Sequence, residues 1–260
     1  MTGVWVPAFT AAQVRGEEEP VLARGVPLML YAARMLAEVV AAELVSPGTT
    51  ARAAYGQPED LVDGPLVGRV LVLAGGGDNG GDALYAAAAL LQWLPLRARA
   101  DDALEIDVLR TSERVHEQAW ATALAGGARE VSVSEALSSR YDLVIDGILG
   151  IGTVGAPVLR GVAREVVTGL LPLVLGGAVR VVAVDVPSGL HPDDGTTADG
   201  LVLPAAVTVT FGGVKLGLTK EQGPALCGAV VWVEFGFPFA FPPPGAAEVA
   251  YAVWGLPEGE

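Results

Sequence analysis

Cysteine and histidine are nearly missing from this sequence: one cysteine, Cys227, and two histidines, His116 and His191, in 260 residues. A single thiol allows no internal disulfide, and these three side chains are too few for a His/Cys zinc site. Basic residues are scarce too, 16 against 30 acids, and a net charge of -14 argues against a nucleic-acid-binding face. A phosphate-bearing small ligand stays open, because backbone amides at a helix N-terminus bind phosphate without net positive charge. Long apolar runs are lacking. The uncharged stretch 166–179 is too short to cross a bilayer and contains Gly169, Pro172, Gly176 and Gly177. The opening MTGVWVPAFT has neither the basic start nor the continuous apolar run of a secretory signal, so a cytoplasmic protein without a membrane partner is expected.

What is present is a large apolar fraction, 52% against 18% charged residues, which suits strands buried on both faces by helices. A capped first helix is predicted from Thr10 and ends near Pro20; a second, over 27–44, has Leu28, Met35, Leu36, Val39 and Val40 at helical spacing. Strands are predicted at 69–73, 104–109, 143–145, 179–184, 207–211 and 229–235, with helices over 82–94 and 112–125. Their alternation predicts an α/β fold with a mostly parallel sheet and helices on both faces, the closely spaced late strands leaving an antiparallel edge open. One domain over 1–245 is expected, with the proline-rich 237–245 as a surface excursion and 246–260 as a C-terminal tail.

The most informative run is GGGDNGGD, residues 75–82, between an apolar strand and a helix. Glycines there are expected to adopt positive φ and to aim amide groups at an anion. Gly75, Gly77 and Gly80 formally satisfy the dinucleotide fingerprint, which is weak alone, and tight strand-to-helix packing is the plain alternative. Asp146 follows a second strand and opens the glycine-rich turn 150–156, while Asp185 follows a third in DVPSG. Both acids should reach the carboxyl edge of the sheet, where open α/β sheets bind ligands. Each singly could be a turn cap. Ser188 lacks the flanking glycine of a hydrolase elbow, whereas oxygen donors from Asn79, Asp146 and Ser188 suit a hard cation. Lys215 reads as a surface lysine in preference to a diphosphate ligand.

GGGDNGGDAL, DGILGIG, DVPSGL and TVTFGGVKLGL, in that order, together with TAAQVR near the start, resemble the motifs of the NAD(P)H-hydrate epimerases, the YjeF N-terminal domain. The resemblance runs from about Thr10 to Pro238. It implies a three-layer α/β/α sandwich, Rossmann-like and often dimeric, that interconverts the R and S epimers of NADHX and NADPHX and binds a potassium ion. Carried over, the substrate loop is Asp78, Asn79, Gly80, Gly81 and Asp82, and the second ligand turn is Gly150, Ile151, Gly152, Thr153, Val154, Gly155 and Ala156. Asn79, Asp146 and Ser188 match the potassium ligands, and Asp185 matches a substrate-contacting acid. A separate NAD(P)H-hydrate dehydratase is the implied pathway partner. Asp78 stands where an Asn is usual, Ala83 replaces a glycine, Leu30 and Tyr31 replace a polar pair, and Val154 leaves no lysine in the second turn.

The hydrated nicotinamide carbon bears a hydroxyl and the ring nitrogen, so inverting it needs one positioned acid/base, for which Asp185 is the candidate. Loss of the hydroxyl and ring opening both remain open. Two rivals stand beside this reading: an oxidoreductase binding intact NAD(P), for which the next strand holds Asp107, though mid-strand and further on than the fingerprint expects, and a non-catalytic nucleotide- or protein-binding module on the same fold.

Overall fold

The computed structural model describes residues 4–48, 64–97, 103–152, 155–239 and 242–254. Alternating apolar residues build the central sheet. In β2 (Val67–Ala74), Val70 and Val72 point into one core and Leu71 and Leu73 into another, because successive strand side chains leave opposite faces. The same split recurs in β5 (Leu143–Gly147) and β6 (Arg180–Val184). One core is closed by α2 (Leu28–Val45), α3 (Asp78–Arg97) and α4 (Glu117–Ala125), the other by α5 (Val133–Ser138) and α6 (Gly161–Leu175). The result is the expected three-layer α/β/α arrangement.

With β3 (Ala103–Arg110), β4 (Arg129–Glu130), β7 (Val207–Phe211), β9 (Ala229–Glu234) and β11 (Tyr251–Trp254), the main sheet has eight strands in the order β11-β9-β7-β6-β5-β2-β3-β4. Every pairing in it is parallel, including β7 with β9 and β9 with β11, so the antiparallel edge does not occur. The physical reason is the crossover after β7: β8 (Val214–Lys215), a 3-10 turn over Leu216–Thr219 and α7 (Gly223–Leu226) return the chain to the same end before β9. Antiparallel pairing occurs in a small second sheet, where β1 (Val4–Phe9) sits between β10 (Gly245–Val249) and β8.

Residues 246–254 are thus no loose tail: β10 pairs with β1, and β11 extends the main sheet. The preceding proline-rich stretch is inside only at its aromatic residues Phe237 and Phe239, while Pro238, Pro242, Pro243 and Pro244 lie exposed as expected. Phe237 and Phe239 join Phe235 and Phe211 in an aromatic cluster, and Phe239 stacks on Phe9 at 3.7 Å.

The first helix, α1 (Ala11–Ala23), has the predicted Thr10 cap, completed as a capping box with Gln13. It runs through Pro20 instead of stopping there. Its first amide, Ala11 N, donates to Asp193 Oδ1 at 2.6 Å, which ties the helix to the loop after β6. At the opposite end of the sheet Arg180 donates to the Glu43 carbonyl and carboxylate, pinning the C-terminus of α2 to the start of β6. Among the described residues no helix is long and apolar enough to cross a membrane.

Candidate functional site

The sheet changes direction of winding between β2 and β5, and in open α/β sheets the crevice beyond such a switch is where ligands sit. The turn after β2 and the turn after β5 meet there: Gly75 N donates to the Gly147 carbonyl at 3.0 Å. Of the 75–82 run, only residues 75–77 are turn, since α3 already begins at Asp78. Asp78, Asn79, Gly80, Gly81 and Asp82 therefore form the first turn and a half of a helix, whose leading amides have no intrahelical acceptor.

None of these glycines has positive φ, contrary to expectation. Close approach is the reason at Gly75, Gly76, Gly80 and Gly81, but not at Gly77, which has open space around it. A Cβ on Gly75 would lie 1.9 Å from the Ile148 carbonyl oxygen, and one on Gly80 would lie 2.2 Å from the Gly75 carbonyl oxygen. Gly81 leaves room for Met29 of α2. The tight-packing alternative accounts for four of the five glycines, and the same packing presses the helix start onto both turns.

The predicted cation ligands come together. Asp146, 1% exposed, accepts from Ser188 N at 2.9 Å and Ile148 N at 3.4 Å. Ser188 Oγ accepts from Leu149 N at 2.9 Å. Gly150 lies against the Asn79 amide, where any Cβ would come within 2.9 Å of Oδ1, and the buried Asn79 Nδ2 lacks a partner among the described residues. Burial pushes the Asp146 carboxyl above the ordinary range, opposed by its hydrogen bonds from Ser188 and Ile148. A buried carboxylate held by neutral donors beside two further oxygens fits a hard monovalent cation.

Asp185 occupies the mouth of β6 in a conformation that few non-glycine residues adopt. Its φ is +67°, and Val186 N returns to the Val184 carbonyl at 2.8 Å, a strained γ-turn. Thr210 Oγ1 donates to its Oδ1 at 3.2 Å, and Lys215 Nζ lies 2.5 Å from the same oxygen. Lys215 is fully buried, which overturns the surface reading. Pairing with β1 at Phe9 encloses it, and the strand that supplies β1 carried no motif in the sequence.

Two residues on α1 were missed. Arg15 donates to the Ile151 carbonyl at 3.0 Å, holding the second glycine turn, and Glu18 faces the same acids as Asp82. The signal was present in TAAQVRGEEE, where Arg15 and Glu18 are three apart on one helix face. Of the second turn, Gly150 lies against Asn79 and Ile151 accepts from Arg15, while Gly155 has φ +81°; Thr153 and Val154 lie outside the described residues.

Burial pushes the Asp82 carboxyl well above its ordinary range, reinforced by Asp185, Asp78 and Glu18 and opposed by Lys215. Glu18 is raised as well, by burial first. A raised folded-state value means the folded protein holds more protons above pH 4, so stability falls as pH climbs toward the folded value. Asp82→Asn is accordingly expected to melt higher than wild type at pH 7, with the difference closing toward pH 4. Thermal melts at pH 4 to 7 check this.

Asp107 proves unavailable for a ribose. It is 2% exposed and takes hydrogen bonds from Arg69, Arg129 and Tyr141, burial and that bond pushing the Tyr141 hydroxyl up to about 12. The oxidoreductase rival thereby loses the acid it was expected to use.

Comparison with known proteins agrees with this geometry. A family model described as "YjeF-related protein N-terminus" matches residues 26–217. A protein of Microbacterium testaceum named NAD(P)H-hydrate epimerase is 49% identical over 89% of this chain and 79% of its own. The "Bifunctional NAD(P)H-hydrate repair enzyme Nnr" of Mycobacterium tuberculosis is 39% identical over 89% of this chain and 42% of its own. The crystal structure of yeast ynu0, YNL200c, superposes with a TM-score of 0.63 at 18% identity, covering 92% of this chain and 96% of that one, and shares the fold. With about three quarters of its length matched by one family model, and an epimerase relative at 49% identity, the chain belongs to the YjeF-related N-terminal family of NAD(P)H-hydrate epimerases.

Proposed function

We propose that the chain is an isomerase that interconverts the R and S epimers of NADHX and NADPHX, with Asp185 as its acid/base. The observation that carries this is the convergence of Asp185, the helix start at Asp78–Asp82 and Gly150 at one sheet crevice, in a chain 49% identical to an NAD(P)H-hydrate epimerase.

The reacting carbon is a carbinolamine. When its C–O bond breaks, the ring nitrogen lone pair supplies electrons and the departing hydroxyl takes up a proton; water then adds to the opposite face and gives one back. The same carboxyl can serve both legs. The amides opening α3 and the turn at 150–156 bind the diphosphate region, and Arg15 keeps that turn against α1. Asn79, Asp146 and Ser188 would hold a potassium ion. That ion would fix the substrate's polar groups and neutralise the buried Asp146. The reading extends to a cytoplasmic homodimer that passes the S epimer to a separate dehydratase. The bifunctional relative, of which this chain matches 42%, supports a partner of that kind.

Turnover of a single NADHX epimer in oxygen-18 water tests the reading. Label entering the hydroxyl at the rate of epimer exchange supports hydroxyl loss, and exchange without label moves the mechanism to ring opening and reclosure. No exchange sinks the epimerase. Replacing potassium with choline should slow wild type, and Asp146→Asn should lose that response.

A further inference from the structure

Lys215 has the largest side chain among the fully buried residues of this protein, and nothing about a strand end requires a charge there. Two γ-turns lie next to each other at the ends of adjacent strands. One is centred on Asp185 after β6; the other is centred on Gly212 after β7, at φ +68°, with Gly213 N returning to the Phe211 carbonyl at 2.7 Å. Lys215 Nζ bridges them, donating to the Phe211 carbonyl at 2.6 Å while it meets Asp185 Oδ1 at 2.5 Å. Thr210 approaches the same carboxylate oxygen. Both donors thus fall on Oδ1, and among the described residues Oδ2 receives no hydrogen bond from the protein.

We propose that Lys215 is the positioning residue of the site, holding the strained Asp185 turn and turning Oδ2 toward the crevice for proton transfer. The inference rests on the reading of Asp185 as the acid/base. A strained backbone persists only where its surroundings over-determine it, and a buried ammonium joining two such turns does so. The ammonium also sets the electrostatics of a carboxylate otherwise faced by acids: Glu18 from α1 and Asp78 and Asp82 from α3, with Arg15 as the other nearby cation. Withdrawing Lys215 removes both the bridge between the two turns and the cation nearest that carboxylate.

The test is epimer exchange by Lys215→Met and Lys215→Arg beside wild type and Asp185→Asn, each over a full pH range, with folding followed by circular dichroism. Folded Lys215→Met is expected to lose at least tenfold in kcat at its own optimum, with KM within about threefold of wild type. Its pH profile of kcat should differ from that of wild type, and Lys215→Arg should restore part of both properties. A purely structural lysine would lower the folded fraction and leave kcat per folded molecule and the profile unchanged, which overturns the proposal. Failure of both lysine variants to fold overturns it as well, because the residue would then determine the fold. Full activity in Asp185→Asn would instead bring down the underlying reading of the acid/base.

Discussion

Asp185→Asn is expected to lower kcat for epimer exchange by about 10²–10⁴-fold, the range general acid–base groups contribute, while KM changes little. Asparagine is the informative replacement. It keeps the shape of the side chain and tolerates positive φ better than most residues, so the γ-turn at +67° survives and only the titrating oxygen is lost. Lys215 is then left buried without its counter-ion, and the variant should melt below wild type. Adding Lys215→Met to Asp185→Asn removes the stranded charge. The double variant should recover part of the melting temperature and none of the activity. Rates from a purified single epimer, read beside thermal melts, separate the two effects.

Gly75→Ala is expected to damage both ligand turns at once, whereas Gly77→Ala, two residues away, is expected to be mild. The added Cβ at Gly75 falls 1.9 Å from a backbone oxygen of Ile148 and 3.0 Å from that of Gly147; at Gly77 nothing lies within 4 Å. Backbone cannot swing aside as a side-chain tip can, so the 75–77 turn must part from the turn after β5. Overpacking of this kind costs about 1–3 kcal/mol, or roughly 2–12 °C in melting temperature for a domain of this size. The separation also moves Asn79 away from Asp146 and Ser188, and kcat/KM should fall by more than about tenfold, since misplacement by an ångström carries such a loss. Equal behaviour of the two alanine variants would refute the close-approach account of this loop.

Motif order and strand periodicity made much of the architecture legible. Val70 to Leu73 and Val181 to Val184 alternate between two apolar cores, and that pattern fixes a sheet covered on both faces before any coordinates are consulted. What stayed hidden depends on contacts distant in sequence. Strand β1 has only a short apolar run, and its partners are β10, some 240 residues later, and a two-residue β8. Without that small sheet Lys215 reads as exposed and residues 246–260 read as a tail. Pro20 gave the wrong boundary for a related reason: local chain preference was outweighed by docking of α1 through Asp193. At the site, Asp146, Asp185 and Ser188 were visible because each ends a strand or follows its turn. Arg15 and Glu18 were not, because a helix face becomes part of a site only once the tertiary fold lays it across the sheet edge.

The most direct measurement is the time course from pure R-NADHX to the equilibrium mixture of epimers, in potassium buffer, with and without the folded wild-type protein. The account predicts that the protein accelerates this exchange many-fold over buffer and that the acceleration scales with its concentration. A well-folded protein that leaves the exchange at the buffer rate would contradict it and point to a binding module built on the same sheet.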